Sequence, residues 1–136
     1  MTPTATTLLL LVGWLLLLLL SLGVFRTSLV MTGKRAANSF APTGEDIGEF
    51  GKRLTRAHAN CYEYLPAAFA ILLYAVATDQ TALTNGLAYV FLVARVAQSI
   101  VHLISTSRMF VTIRFVFFIV QTLILIIWLL KLLHLV

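Results

Sequence analysis

The sequence predicts an all-α integral membrane protein: a four-helix bundle running up-down-up-down, assembled as a trimer. Three observations carry that prediction. Of its 136 residues, 60% are hydrophobic and only 11% are charged, whereas soluble domains carry about 25% charged residues. The mean hydropathy is +0.98. Four apolar stretches, about 8–25, 57–77, 83–104 and 113–136, each approach the length needed to cross a hydrocarbon core of about 30 Å. A chain of this size and balance is expected to form one four-span domain, residues 1–136.

Leu8–Phe25 reads LLLLVGWLLLLLLSLGVF, 18 uncharged residues or about 27 Å of helix. A cleaved signal peptide is the competing reading. However, MTPTATT has no basic lead, the apolar core is too long, and no small-x-small cleavage site follows. The stretch is therefore expected to remain as the first span. Residues 26–52 form the expected cytoplasmic loop, rich in breakers (Gly33, Pro42, Gly44, Gly48, Gly51), with the second helix starting between Glu45 and Lys52. The second span, Ala57–Ala77, is apolar after its first turn and a half, and Pro66 should kink it. The third, Leu83–Ile104, is interrupted only by Arg95, Gln98 and His102. The fourth, Ile113–Val136, is interrupted by Arg114, Gln121, Lys131 and His134. The connections around Asp79 and Arg108 are short, which predicts antiparallel neighbours.

Ten basic residues oppose five acidic ones, a net charge of +5. Arg26, Lys34, Arg35, Lys52, Arg53 and Arg56 lie between the first two spans, and Arg108 and Arg114 fall on the same side of such a bundle. Only Lys131 and Asp79 lie opposite. The positive-inside rule then puts both termini outside or in a lumen and the long loop in the cytoplasm. Membrane topology accounts for this charge, so nucleic acid is not an expected partner. The single Cys61 excludes an internal disulfide and reads as a small buried thiol. No metal is expected.

The polar residues inside the spans form stripes. Arg53, Arg56, Asn60 and Glu63 fall within an arc of about 80° on the second helix, continued deeper by Ala67 and Ala70. Arg95, Gln98, Ser99 and His102 share one face of the third helix, and Arg114 and Gln121 one face of the fourth. Each stripe is expected to look inward, since a charge facing lipid costs at least about 2.5–3.5 kcal/mol at the bilayer centre. Counting from Arg56, Glu63 lies about 10 Å into the membrane, within reach of Arg95. Two readings of that pair stand: an ion pair that fixes helix register, or the floor of a basic pocket. Arg53, Arg56 and Arg114 keep no acidic partner and call for an anion, either a headgroup phosphate or a small ligand. His58 and Tyr62 are read as packing or interfacial residues on the other side of the second helix. The polar and small-residue face is more than three sister helices can satisfy, which predicts a homotrimer.

The run RAHANCYEYLP resembles the second-helix signature of the MAPEG family, the membrane-associated proteins of eicosanoid and glutathione metabolism. That signature is Arg-x-His-x-Asn-x-x-Glu followed by a Pro, matched here by Arg56, His58, Asn60, Glu63 and Pro66. Chain length, four spans, a long first loop and an Arg opening the fourth helix agree as well. The resemblance implies a homotrimer that binds glutathione between subunits near the cytoplasmic face, with Arg56, Asn60 and Glu63 among its ligands. It further implies that Arg114 stabilises the glutathione thiolate. Arg53, Arg95, Gln98 and His102, from the same polar stripes, complete the candidate binding set. Three departures stand out: Ala59 where active members often have a second Arg, Gln98 and His102 in place of helix 3 tyrosines or histidines that contact glutathione, and FVFF after Arg114 where a Tyr is absent.

The expected function is a glutathione transferase or peroxidase in which a water-soluble thiol meets a hydrophobic substrate dissolved in membrane lipid. One alternative is a non-catalytic relative that binds lipid or a partner, favoured by Ala59 and the missing tyrosines. Another is a small proton-coupled exporter. An exporter needs its carboxylate near the midplane, whereas Glu63 lies nearer the inner face and the first span carries no charge.

Overall fold

The computed structural model describes all residues, Met1–Val136, as helices and their connections. The helices are α1 (Pro3–Met31), α2 (Gly48–Ala77), α3 (Asn85–Ile104) and α4 (Arg108–Leu132), with a 3₁₀ turn at Thr81–Leu83 between α2 and α3. All four are long and apolar enough to cross a membrane. The helix ends follow local chemistry. Thr2 caps α1 by accepting the Ala5 N–H at 3.2 Å, and Pro3 opens the first turn, where its missing N–H costs nothing. Gly33, with φ at 73°, carries the chain out of α1. Helix α2 continues through Pro66, which lies on its exposed side. Helix α4 begins at Arg108, five residues ahead of the expected stretch, because Met109, Phe110 and Val111 already extend its apolar run. Only Ser105–Ser107 separates it from α3.

The core is built from one stripe of each helix. Leu54, Cys61, Leu65, Ala68 and Leu72 of α2 meet Leu11, Leu18 and Leu22 of α1, Phe91 of α3, and Ile124, Leu125 and Trp128 of α4. Phe91 and Trp128 pack with ring centroids 5.4 Å apart. Most remaining leucines of α1, among them Leu9, Leu16, Leu17 and Leu20, are exposed. An apolar surface of this extent needs hydrocarbon against it.

Polar contacts fix the register. At one end of the bundle the Thr4 hydroxyl donates to Asn85 Oδ1 at 2.7 Å and meets the Thr84 hydroxyl at 2.6 Å. The Thr4 N–H reaches the same Asn85 oxygen at 3.1 Å. Midway along α1, Trp14 Nε1–H donates to Ser99 Oγ at 3.0 Å. At the other end, Arg53 Nε–H donates to the Leu103 carbonyl at 2.8 Å, so the start of α2 caps the end of α3.

The stripes do not share one fate. On α3, Arg95, Gln98, Ser99 and His102 are all buried, as is Gln121 of α4. On α2, Arg56, Glu63, Ala67 and Ala70 are exposed, so the expectation that every stripe looks into its own bundle is corrected for this helix. The reason is geometric. Glu63 is two residues past Cys61 and so lies about 200° around the helix from the packed Cys61–Leu65 face. The apolar stripe takes the interior and turns the polar one outward.

Candidate functional site

The unpartnered charges of α2, α3 and α4 converge where α2 starts and α3 ends. The three-residue connection Ser105–Ser107 brings His102, in the last turn of α3, beside Arg114 in the second turn of α4. Arg56 of α2 faces both. These three residues line two adjoining compartments of one groove. The smaller, about 270 Å³, is completed by Glu49, Lys52, Arg53 and Thr106. The larger, about 470 Å³, extends along α2 past Ala59, Asn60, Tyr62 and Glu63, with Thr55 and the loop residues Pro42 and Thr43 in its wall. The groove is basic at one end and carries the Glu63 carboxylate at the other.

Several groups remain free to hold a ligand. The only ion pair in the chain joins Arg35 and Asp46, so neither Arg56 nor Arg114 is neutralised by a carboxylate. Arg114 Nε and His102 Nε2 are buried without a hydrogen-bond partner. Ala59 lines the larger compartment between Arg56 and Tyr62.

The expected pairing of Glu63 with Arg95 does not form. Arg95, 1% exposed, donates instead to Asn60 Oδ1 and lies over the Tyr64 ring at 4.9 Å. The Cys61–Tyr64 face of α2 packs towards α3, so Asn60 at its edge comes within reach while Glu63 is rotated outward. Because Arg95 occupies the Asn60 oxygen, the amide nitrogen is the part of Asn60 left for a ligand. Gln98 also sits apart from the groove: its Oε1 accepts from Gln121 Nε2 at 2.8 Å, and neither glutamine lines a compartment. Of the eight residues singled out in the sequence, the groove gathers Arg53, Arg56, Asn60, Glu63, His102 and Arg114. Arg95 acts behind Asn60, and Gln98 is a bundle contact.

The sequence reading missed Glu49, Lys52, Thr106, Thr55, Pro42 and Thr43. It also set Tyr62 on the far side with His58; the two rings do pack, at 5.2 Å, yet Tyr62 borders the groove beside Glu63. The signal for Tyr62 was its position three residues after Ala59, one turn along the same edge. No periodicity could reveal Pro42 and Thr43, which come from the loop.

That loop is ordered by its own contacts. Arg35 Nη1–H donates to the Asp46 carbonyl at 2.8 Å and Nη2–H to the Ser39 carbonyl at 2.5 Å, besides pairing with the Asp46 carboxylate. The Ala41 N–H donates to the same carboxylate at 3.0 Å. The Ala41 N–H first, and then Arg35, hold the Asp46 carboxyl below the usual carboxylate range. Arg26 and Arg35 each lie 5.7 Å from the Phe40 ring.

Comparison with family models matches residues 4–134 to that of the MAPEG family. Comparison with curated proteins and with solved structures returns no match.

Proposed function

Because the chain belongs to the MAPEG family and is thereby an integral, multi-pass membrane protein, we propose that it is a glutathione-dependent transferase or peroxidase acting on lipophilic electrophiles. The observation that carries this reading is the groove, in which Arg56 and Arg114 form no ion pair and the Glu63 carboxylate stands at the far end. A complementary ligand has anionic groups, peptide carbonyls and one ammonium. Glutathione has all three, and when bound it supplies a nucleophilic sulfur. Arg56, with Arg53 and Lys52, draws carboxylates. The Asn60 amide nitrogen, oriented by Arg95, donates to a peptide carbonyl, and Glu63 accepts the ammonium. Arg114 holds negative charge on the sulfur, because a cation beside a thiol favours the thiolate. The groove opens at the helix ends while the rest of the bundle meets lipid, so a thiol from water can reach a substrate from the bilayer. On the positive-inside rule that end is cytoplasmic and both termini are outside.

We further infer a homotrimer. The exposed Arg56, Glu63, Ala67 and Ala70 of α2 make a face poorly suited to lipid and well suited to close helix approach. A native mass corresponding to a monomer or dimer would overturn it. One observation favours a non-catalytic, lipid-binding role instead: Gln98, expected to contact glutathione, is spent on Gln121.

The test is spectroscopic. Wild-type protein in detergent with glutathione at neutral pH should bind it and show thiolate absorbance near the ultraviolet edge. Arg114→Ala should keep binding, lose that absorbance, and turn over a hydrophobic electrophile about 10²–10³-fold more slowly, the usual cost of one charge-stabilising donor. Arg56→Ala should weaken binding itself. Wild type with neither binding nor thiolate would replace the enzyme reading with the lipid-binding one.

A further inference from the structure

Pro42 and Thr43 stand in the groove wall with Asn60 and Glu63, although they belong to the loop. The residues on either side of them are both tied down. Before them, Ala41 is held by the Asp46 carboxylate, which Arg35 grips in turn. After them, Gly44 is buried, with φ at 72°. It lies so close to α2 that a Cβ there would collide with Thr55 Oγ1 and stand 2.7 Å from Thr55 Cβ. Only glycine fits that approach and that backbone conformation. The two anchors are independent: one is a charged clasp within the loop, the other a steric seat on α2.

We propose that Pro42–Thr43 is a built wall that retains the ligand of the groove, and that Gly44 and Arg35 are the positioning residues that hold it there. This rests on the glutathione reading above, and it concerns how that thiol peptide is retained rather than how its sulfur reacts. Pro42 offers no N–H, and Thr43 brings a small polar side chain, so the wall contributes shape more than charge. Neither Gly44 nor Arg35 lines the groove. Their loss should therefore speed exchange of the ligand and leave the Arg114 end of the groove intact.

Glutathione exchange and turnover, measured on the full-length protein in detergent, test this. In Gly44→Ala the dissociation rate and KM for glutathione should rise about tenfold, since changes in a binding surface act mostly on dissociation. At saturating glutathione, kcat and thiolate absorbance should match wild type, a split that general loosening of the fold would not produce. Arg35→Gln releases the wall from its other end without touching Thr55 and should raise both values about threefold, by the same principle. Wild-type exchange in a folded Gly44→Ala overturns the wall. If Gly44→Ala does not fold, unchanged exchange in Arg35→Gln overturns it equally. Wild type that binds no glutathione overturns this inference together with the function it rests on, whereas wild-type binding with unaltered variants overturns the wall alone.

Discussion

Helices α2 and α3 each carry arginine, an amide and a further titratable residue along one stripe (two arginines on α2, one on α3), yet the two stripes do different work. On α3 three of the four stripe residues each find a side-chain partner within the chain: Arg95 with Asn60, Gln98 with Gln121, Ser99 with Trp14. On α2, Arg56 and Glu63 face outward with no partner in the chain. A polar residue in a membrane span is thus glue or site according to whether its own chain completes its hydrogen bonds. Composition does not separate the two cases. His102 lies on the boundary, buried with the α3 stripe but opening on the groove.

Asn60, which lies between the stripes, should show the largest effect. Asn60→Leu strands the Arg95 guanidinium and should cost about 3 kcal/mol, near the upper end for a buried donor left unsatisfied; a clear fall in Tm in detergent would report it. Glu63→Gln should change stability by no more than about 0.5 kcal/mol, as for a surface substitution. It should still weaken glutathione binding about tenfold or more, the value of one charge-assisted contact. Equal loss of Tm in the two variants would erase the distinction between the helices.

Gln121→Leu is the next test, on the glue side alone. It leaves Gln98 Oε1 buried and unpaired and should cost about 1–2 kcal/mol, while Gln98→Leu with Gln121→Leu should recover most of that. Glutathione affinity should stay at the wild-type value in both. A drop in affinity would move Gln98 back into the site.

The four spans, their charge asymmetry and six of the groove residues were legible in the sequence because hydropathy and helical spacing are local properties. Which stripe would face inward was not. That depends on competition between two faces of α2, and Leu54, Cys61, Leu65 and Leu72 win it by packing against three other helices. The Glu63–Arg95 expectation failed for the same reason: depth along the helices can be counted from residue numbers, but rotation about them is set by the core. Pro42 and Thr43 were illegible because a loop has no period, and the clasp that seats them joins residues eleven apart.

The smallest expected effect concerns pH. Asp46 is held below its ordinary value of 3.8, first by the Ala41 N–H and then by Arg35. A depressed carboxylate contributes stability above its unfolded value and loses it as pH falls through the folded one. Loop cleavage by an acid protease, corrected for the protease's own pH profile, should therefore stay flat down to about pH 4 and rise only below it. In Asp46→Asn it should be faster throughout and lack that step. A step near neutral pH would mean that another group holds the loop.

The Thr4–Thr84–Asn85 knot has a consequence for how the chain is made. Helix α1 leaves the ribosome before the other three, and its leucine surface gives it little reason to choose one rotation in lipid over another. Its polar fasteners, Asn85 with Thr84 at one end and Ser99 midway, are encoded some eighty residues later. The first helix can therefore pack against α2 as soon as that helix is made, while its polar latches close only when the third helix arrives beside it.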